Sequence, residues 1–485
     1  MTTTTVSDKS QLLSALKTAT GGDTIVLEPG NYGSISLRGT TSSTQYLKYS
    51  GEVTIVSAVS TNRAIIDKLY LEGVENLTFK QVKFDYTSAT TTNGQPVVVK
   101  SSSGITFRGD KFDGELVDSY GTGTGIKISQ GSDIQIVNSN VWGYRKGIET
   151  WAVDGLTIQN TKVHNISYDG IVSGHVQGLR IIGNTVEMNA NPAEDQHRDV
   201  IQIYNEGGKA PSSDVLIAKN TLTATDTTTH GIYAGNADAK STGSASEFYS
   251  DFVIRDNKIM TGQKLGLAIG QIDGVTITGN TVIQNDALDD NSRTVAIPIV
   301  HVAQESGNVA VTENILNGKP IAADDTWQEV KDAGSGWTIS DNAVVALSWR
   351  VGESTEDPYA DVRGNGVADE FRYKGSWVAN GGDRVDENSN VNFDEGDTIV
   401  LINYEENSFK GVYKGNQLDV NSTGTYVKID SITDLQELAA SSPKLSAEVS
   451  GDTLTLHITQ TGGVHDIVLG GLGQEYQSSY DASLF

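Results

Sequence analysis

The segment DQHRDVIQIY, Asp195 to Tyr204, concentrates side chains able to move protons and hold charge. His197 can be a base or an acid near neutral pH. Arg198 can pair bidentately with a carboxylate, and Asp199 is a carboxylic acid. Segments of similar pattern stand on either side: TGTGIKIS (Thr122 to Ser129), YRKGIETW (Tyr144 to Trp151), SYDGIVSG (Ser167 to Gly174), TTHGIYAG (Thr228 to Gly235) and QKLGLAIG (Gln263 to Gly270). They add His230 and Tyr233, the charged Lys127, Arg145, Lys146, Glu149, Asp169 and Lys264, and the aromatic Trp151 beside Gln202 and Tyr204 of the first segment.

Two chemistries fit such a set. β-Elimination beside a uronate carboxylate needs that carboxylate neutralised, a base for the C5 proton and an acid for the leaving oxygen. Arg198 and Lys146 could neutralise. His197, His230 or Lys264 could be the base, and Tyr233 or Tyr204 the acid. Trp151 and the tyrosines offer flat faces to pyranose rings. Hydrolysis instead needs two carboxylic acids across the glycosidic bond, which Asp169, Asp199 and Glu149 could supply. Acidic groups beside the same surface could hold calcium, which would take over the neutralising role. Plainer readings stand next to these. Lys127 with Glu149 could be a simple ion pair worth little energy. Arg145 and Lys146 could form a solvated bend, and Trp151 could pack under a loop. His164, His175 and His301 read as surface or packed histidines.

The elements that must carry these residues repeat. Strands such as SDIQIVNSNV (Ser132 to Val141), DGLTIQNTKV (Asp154 to Val163), QGLRIIGNTV (Gln177 to Val186) and DGVTITGNTV (Asp273 to Val282) share one form, with asparagine recurring at 138, 160, 184, 220, 257 and 280. Three of the gaps are 22 to 24 residues, about one turn of a parallel β-helix with three short strands and three bends. Asparagine suits a left-handed bend, and stacked amides can bond up and down a ladder, so these asparagines are structural. Right-handed coiling is the default for parallel crossovers. Stacking the chemical segments puts Ile126, Ile148, Ile171, Ile201, Ile232 and Leu267 inside. It puts Lys127, Glu149, Val172, Gln202, Tyr233 and Ala268 outside. Longer polar insertions at Asn189 to Gln196, Asn205 to Ser213, Asn236 to Glu247 and Asp286 to Arg293 flank that face, where binding loops of solenoids rise.

The ends read differently. Ser7 to Thr18 has Leu12, Leu13 and Leu16 on one face and predicts a capping helix with Ser7 as N-cap. It is followed by the strand of GGDTIVLEPGNY. Beyond the repeat, alternating strands without the asparagine pattern predict a second, antiparallel β domain with one helix at Asp434 to Ala440. The expected domains are 1–340 and 341–485. DVRGNGVADE, Asp361 to Glu370, suggests a calcium loop but lacks EF-hand spacing.

Composition narrows the function. The formal charge is −26, with 61 acidic against 35 basic residues. That argues against nucleic acid or an anionic membrane as partner. There is no cysteine, hence no disulfide or thiolate metal site. No apolar run is long enough to insert in a membrane, and MTTTTVSDKSQLLSAL has no signal-peptide pattern.

The opening helix and GDTIVLEPGNY, with the asparagine repeat behind them, resemble the pectate-lyase-like superfamily of right-handed parallel β-helix proteins, over about residues 1 to 340. The resemblance implies an all-β fold acting on polysaccharide. GDTIVLINYEENSFKGVY, GTYVKIDSITDLQEL and the terminal YDASLF resemble the tail of type I secreted bacterial polysaccharide-degrading proteins, among them rhizobial exopolysaccharide depolymerases, although the GGxGxDxUx calcium repeats are missing. This implies export by a type I exporter to the extracellular space without an N-terminal signal; the expected state is a monomer. The expected activity is endo-acting lysis of an acidic polysaccharide, with a glycoside hydrolase or a non-catalytic polysaccharide-binding solenoid as alternatives.

Overall fold

Several residues in each rung turn through left-handed backbone, such as Gln130, Asp133 and Asn138 in one and Ala152, Asn160 and Asn165 in the next, and these bends wind the chain into a solenoid. The computed structural model describes residues 1–39, 47–86, 94–191, 197–285, 288, 296, 298–317, 320–323, 336–344, 347–350, 369–374, 384–388, 398–402, 409–414, 417–424, 427–429, 432–451, 453–461, 463–470, 472 and 476. Its fold is a parallel β-helix of three sheets. The first runs from Thr3–Val6 to Trp337–Ser340. The second includes Ile65–Ile66 through Thr281–Gln284, and the third runs from Ser34–Arg38 to Ile321–Ala323. The chain divides into two compact units, Met1–Asn314 with Pro320–Ser340, and Ile315–Lys319 with Asp341–Phe485.

Between the first and second sheets the bend residues Gln81, Asn138, Asn160, Lys219, Asp256 and Glu313 have φ of 48° to 57°. The residue after each bend turns inward and forms a ladder in which a side-chain oxygen accepts the backbone N–H of the rung before. Asp110 accepts from Val82 (2.7 Å), Ser139 from Asp110 (3.1 Å), Thr161 from Ser139 (3.3 Å) and Asn184 from Thr161 (2.9 Å). Asn220, Asn257, Asn280 and Asn314 continue it at 2.8 to 3.0 Å. The repeat thus holds two asparagine positions, not one. Asn138 and Asn160 are the bends themselves, and their ladder places fall to Ser139 and Thr161. The amides also donate back to strand carbonyls, Asn184 to Ile158 at 2.9 Å and Asn220 to Ile181 at 2.9 Å. Such satisfaction matters because a buried polar group left unpaired costs about 1–3 kcal/mol.

The interior is apolar in register. Ile126, Ile148, Ile171, Ile201, Ile232 and Leu267 are fully buried, each contributing roughly 1.5–3 kcal/mol of transfer free energy. Phe79 stacks on Phe107 at 5.5 Å and Phe84 on Phe112 at 4.9 Å. The first rung is closed by the helix Lys9–Thr18, which buries Leu12 and Leu16. Its N-cap is Asp8 rather than Ser7, because the Asp8 carboxylate accepts the Gln11 N–H at 2.9 Å.

The second unit has the antiparallel strands Leu445–Ser450, Thr453–Gln460 and Gly463–Gly470 and the helix Ile432–Ser441. Leu435, Leu454, Leu456, Ile458, Ile467 and Leu469 are buried in its core. Three of its described pairings are parallel: Ile315–Leu316 with Ala343–Val344, Asp369–Lys374 with Thr398–Ile402 and Arg384–Asn388 with Gly463–Gly470. Residues 361–368 of the suggested calcium loop lie outside the described residues. Among the described residues no helix is long and apolar enough to cross a membrane.

Candidate active site

The chemical segments are consecutive strands of the third sheet: Thr124–Ser129, Lys146–Trp151, Asp169–Gly174, Arg198–Asn205, Thr229–Asn236 and Leu265–Ile269. Close approach explains their small residues. A Cβ on Gly147 would lie 2.5 Å from the Gly170 carbonyl oxygen, and one on Gly170 2.5 Å from that of Val200. Around this column the outward positions align. Thr124, Lys146, Asp169, Asp199 and His230 stack in one file, and Lys127, Glu149, Val172, Gln202 and Tyr233 in the next. Ser129, Trp151, Gly174, Tyr204 and Gly235 form a third.

Asp199 is fully buried beneath two imidazoles. Its Oδ1 lies 3.0 Å from His230 Nδ1 and its Oδ2 3.1 Å from His197 Nδ1. His230 is nearly buried, whereas the His197 side chain is 41% exposed and so open to a ligand. The two rings meet edge-on at 4.4 Å, and His197 meets the Tyr233 ring edge-on at 4.6 Å. Burial opposes a charged His197, but the hydrogen-bonding influence and charge of Asp199, then the charge of Asp169, outweigh it and raise the imidazole above its ordinary value. An Nδ1–H turned to a carboxylate leaves Nε2 as the lone-pair nitrogen.

Asp169 lies one rung back, 1% exposed, and accepts the Asp199 N–H at 3.2 Å. Burial, then the neighbouring charge of Asp199, push its carboxyl up to about 7, with Lys146 working against the shift. Lys146 Nζ stands 3.9 Å from Asp169 and 3.0 Å from Glu149, and Lys127 3.2 Å from Glu149. Burial tends to raise Glu149, but the two lysines more than offset it and hold it ionised. The expected Lys127–Glu149 pair is therefore present, within a cluster of two cations and one anion.

Several sequence expectations change. Arg198 was a candidate to neutralise a substrate carboxylate. It is instead fully buried, donating to Asp226 at 2.6 Å and to the Ile166 carbonyl at 3.1 Å. Strand alternation next to outward Asp199 turns it away from the surface. Asp169 and Asp199 sit under the surface rather than across a bond from each other. Val172 and Ala268, expected outside, are covered. Trp151 and Tyr204 lean together over Gly174 with rings 5.2 Å apart, and Trp151 also meets His175 at 4.4 Å. Burial, then the charges of Glu149 and Glu206, raise the Tyr204 phenol, which suits a ring platform better than a proton donor. Arg145 stacks on Tyr168 at 4.1 Å. Gln202 is half-buried between Val172 and Tyr233. Lys264 is exposed on the turn before Leu265. The group its charge acts on is His301, which burial and then Lys264 lower to about 4.

Sequence reading missed three features. Asp226, the partner of Arg198, sits in TATDTTTH, where its carboxylate takes the Thr228 and Thr229 N–H groups at 2.8 Å each, an Asx-turn signature. The second is the stacking of Arg145 on Tyr168, a residue readable as part of the same set of bends but not as this partner. A cleft of about 230 Å³ adjoins the site, lined by Tyr204, Glu206, Tyr233, Asn236, Lys240 and Gln271 among others. The insertion that carries Lys240 folds as a short helix, Ala237–Thr242.

The ligand atoms of His197, Asp199 and His230 lie within 4.8 Å of one another. Two imidazoles and one carboxylate do not suit calcium, which takes six to eight oxygens.

The family described as "Right handed beta helix region" matches residues 50–211 and again 124–342, together more than half of the chain. No curated protein matches. Among solved structures, the DFA-IIIase of Arthrobacter chlorophenolicus A6 in complex with GF2 aligns with a TM-score of 0.39 and 11% identity, over 69% of this chain and 87% of that one. The periplasmic alginate epimerase AlgG aligns at 0.36 and 12%, over 66% and 76%. The alginate lyase of Paenibacillus sp. str. FPU-7 aligns at 0.27 and 16%, over 70% and 99%.

Proposed function

The chain belongs to the right-handed β-helix family, and from that premise we propose that its third sheet is the active surface of a polysaccharide lyase that cleaves a uronate polymer by β-elimination. One observation carries the choice of reaction. The two aspartates are buried, while an exposed imidazole and a phenol stand side by side above them.

In this reading a uronate residue lies across the Asp169–Gly174 rung. The Lys127–Glu149–Lys146 cluster, net positive, faces the uronate carboxylate and makes the C5 proton more acidic. His197 Nε2 removes that proton. Asp199 is a positioning residue, hydrogen-bonded to His230 and lying 3.1 Å from His197 Nδ1, where its charge stabilises the imidazolium as it forms. Tyr233 gives its proton to the leaving glycosidic oxygen. Trp151 and Tyr204 support neighbouring rings of the polymer. No step runs through calcium. The proposal extends to an extracellular monomer delivered by a type I exporter, which the acidic, cysteine-free composition supports.

A hydrolase is favoured by one feature, the raised Asp169 carboxyl next to Asp199, since paired acids with separated pKa values serve glycoside hydrolysis. Their burial weighs against it. The two readings separate when viscosity and the ultraviolet absorbance of unsaturated uronate are followed together on a panel of acidic polysaccharides. The lyase predicts falling viscosity with rising absorbance. Falling viscosity with flat absorbance would overturn it in favour of the hydrolase, and an unchanged polymer that nonetheless binds would favour a binding solenoid.

A further inference from the structure

We propose that His197, Asp199 and His230 form a binding site for a divalent transition-metal ion of the zinc class, and that its occupation switches off the base described above. The binding stands on geometry alone; the inhibitory consequence rests on the lyase reading.

Both Nδ1 atoms face the same carboxylate, at 3.0 and 3.1 Å. Ligand atoms bound at about 2.0–2.2 Å to one tetrahedral ion stand roughly 3.3 Å from each other; each imidazole nitrogen is already at about that distance from one of the two carboxylate oxygens, His230 from Oδ1 and His197 from Oδ2. The remaining separation is within 4.8 Å and can close by rotating His197, the exposed member. A second observation points the same way. Asp199 Oδ2 is fully buried and lies beside His197 Nδ1 but makes no aligned hydrogen bond. A buried carboxylate oxygen left so costs stability unless something takes it up. Two nitrogens and one carboxylate, with an open direction toward solvent past His197, are the donor set of a three-ligand zinc site. Asp169 accepts the Asp199 backbone N–H and so fixes the strand from which the carboxylate projects.

The regulatory consequence follows from the ring. A metal on Nδ1 displaces the proton there, and the neutral imidazole then carries its proton on Nε2. The lone pair that would accept the C5 proton is gone, so the metal-bound enzyme cannot use His197 as a base. One proton leaves Nδ1 of each imidazole or shifts to its Nε2, and no redox change occurs.

The full chain, stripped with a chelator, is titrated with Zn²⁺ and separately with Ca²⁺ by calorimetry, alongside His197→Ala, His230→Ala and Asp199→Asn. The expected result is one Zn²⁺ per chain, at least tenfold weaker in both histidine variants, with no matching Ca²⁺ site. Because His230 and Asp199 are buried, circular dichroism checks each fold, and His197→Ala, at an exposed position, remains the decisive variant. Co²⁺ substitution provides a second readout through its ligand-field absorption, expected in the wild type and absent in His197→Ala. No stoichiometric Zn²⁺, or Zn²⁺ binding unchanged in His197→Ala, overturns the site. If Zn²⁺ binds as expected and no polymer is cleaved, the lyase reading fails and the metal site survives. If polymer is cleaved and bound Zn²⁺ leaves the rate unchanged, the inhibitory role fails.

Discussion

Replacing Asp110 with asparagine should stabilise the β-helix, and more so as pH rises. Asp110 is the one ionisable member of a ladder whose later members are Ser139, Thr161 and five asparagines. Its Oδ1 accepts the Val82 N–H at 2.7 Å, while Oδ2 is buried without a partner. Burial pushes its carboxyl from 3.8 up to about 8, against the pull of the Val82 N–H and of Arg63. The unfolded chain ionises near 3.8 and the folded chain near 8, so unfolding releases a proton between those limits. The stability contributed by the neutral carboxyl is full below about pH 4 and is lost as pH rises toward 8. The slope is at most about 1.4 kcal/mol per pH unit, or up to roughly 4 kcal/mol by pH 7. Asparagine keeps the acceptor oxygen and replaces Oδ2 with a donor. Phe79 occupies, by register, the place whose carbonyl receives that donor in the asparagine rungs. Thermal unfolding followed by circular dichroism at pH 5, 6, 7 and 8 would show the difference between Asp110→Asn and wild type. A widening gap of about 2 °C per kcal/mol is expected. The converse Asn184→Asp should lose stability in the same pH-dependent way. A constant gap across pH, or an Asp110→Asn protein less stable at pH 8 than wild type, would refute the argument.

His197→Gln should lower kcat by about 10²–10⁴-fold with the fold intact, measured on whichever polymer the wild type cleaves. The acidic limb of the kcat/KM profile should lie above the ordinary histidine value, because the base must be neutral and Asp199 raises it; Asp199→Asn should move that limb to lower pH. Arg198→Met should cost roughly 3–5 kcal/mol by leaving Asp226 without its cation, with KM unchanged per folded molecule in a titration of active sites. Gly174→Ala should raise KM with kcat retained, because its Cβ would come 2.7 Å from the Tyr204 ring and 2.8 Å from that of Trp151 and part them.

Much of the solenoid could be read from the sequence because its periods are written in residue types that only backbone can demand. The inward isoleucines fell into register as expected because a strand alternates strictly. The ladder was read one residue off at Asn138 and Asn160, since asparagine serves both at a left-handed bend and at the inward position after it. Only the neighbours Ser139, Thr161 and Asp110 tell the two apart. His197, Asp199, His230 and Tyr233 were legible as a group because they fall on adjacent rungs within one sheet. Their roles were not, because burial decides them. Arg198 and Asp199 are neighbours in the chain, and alternation sends one inward to Asp226 and leaves the other under the histidines. No local pattern announces which of two adjacent charges will be the buried one. The cleft beside Tyr233 was invisible for a related reason: Glu206, Lys240 and Gln271 reach it from different rungs and an insertion.

The rung Asp169–Gly174 gives the site its shape by contributing almost nothing to its surface. Every residue of that strand is buried. Its outward places hold Asp169, Val172 and Gly174, which are closed off beneath the side chains of the rungs on either side. Lys127, Lys146 and Glu149 stand on one side, and His197, Gln202 and Tyr233 on the other. Rungs are about 4.8 Å apart, so the outward side chains on the two sides rise from strands roughly two rung spacings apart. Charge follows the same division. The positive cluster lies on one side and the groups proposed to transfer protons on the other, with Asp169 between them within reach of Lys146 and of the Asp199 backbone. A Cβ at Gly174 would meet the Tyr204 and Trp151 rings, and a change at Asp169 would remove the acceptor of the Asp199 N–H. The small and buried residues of this rung therefore bear on the proposed site through the side chains packed over them.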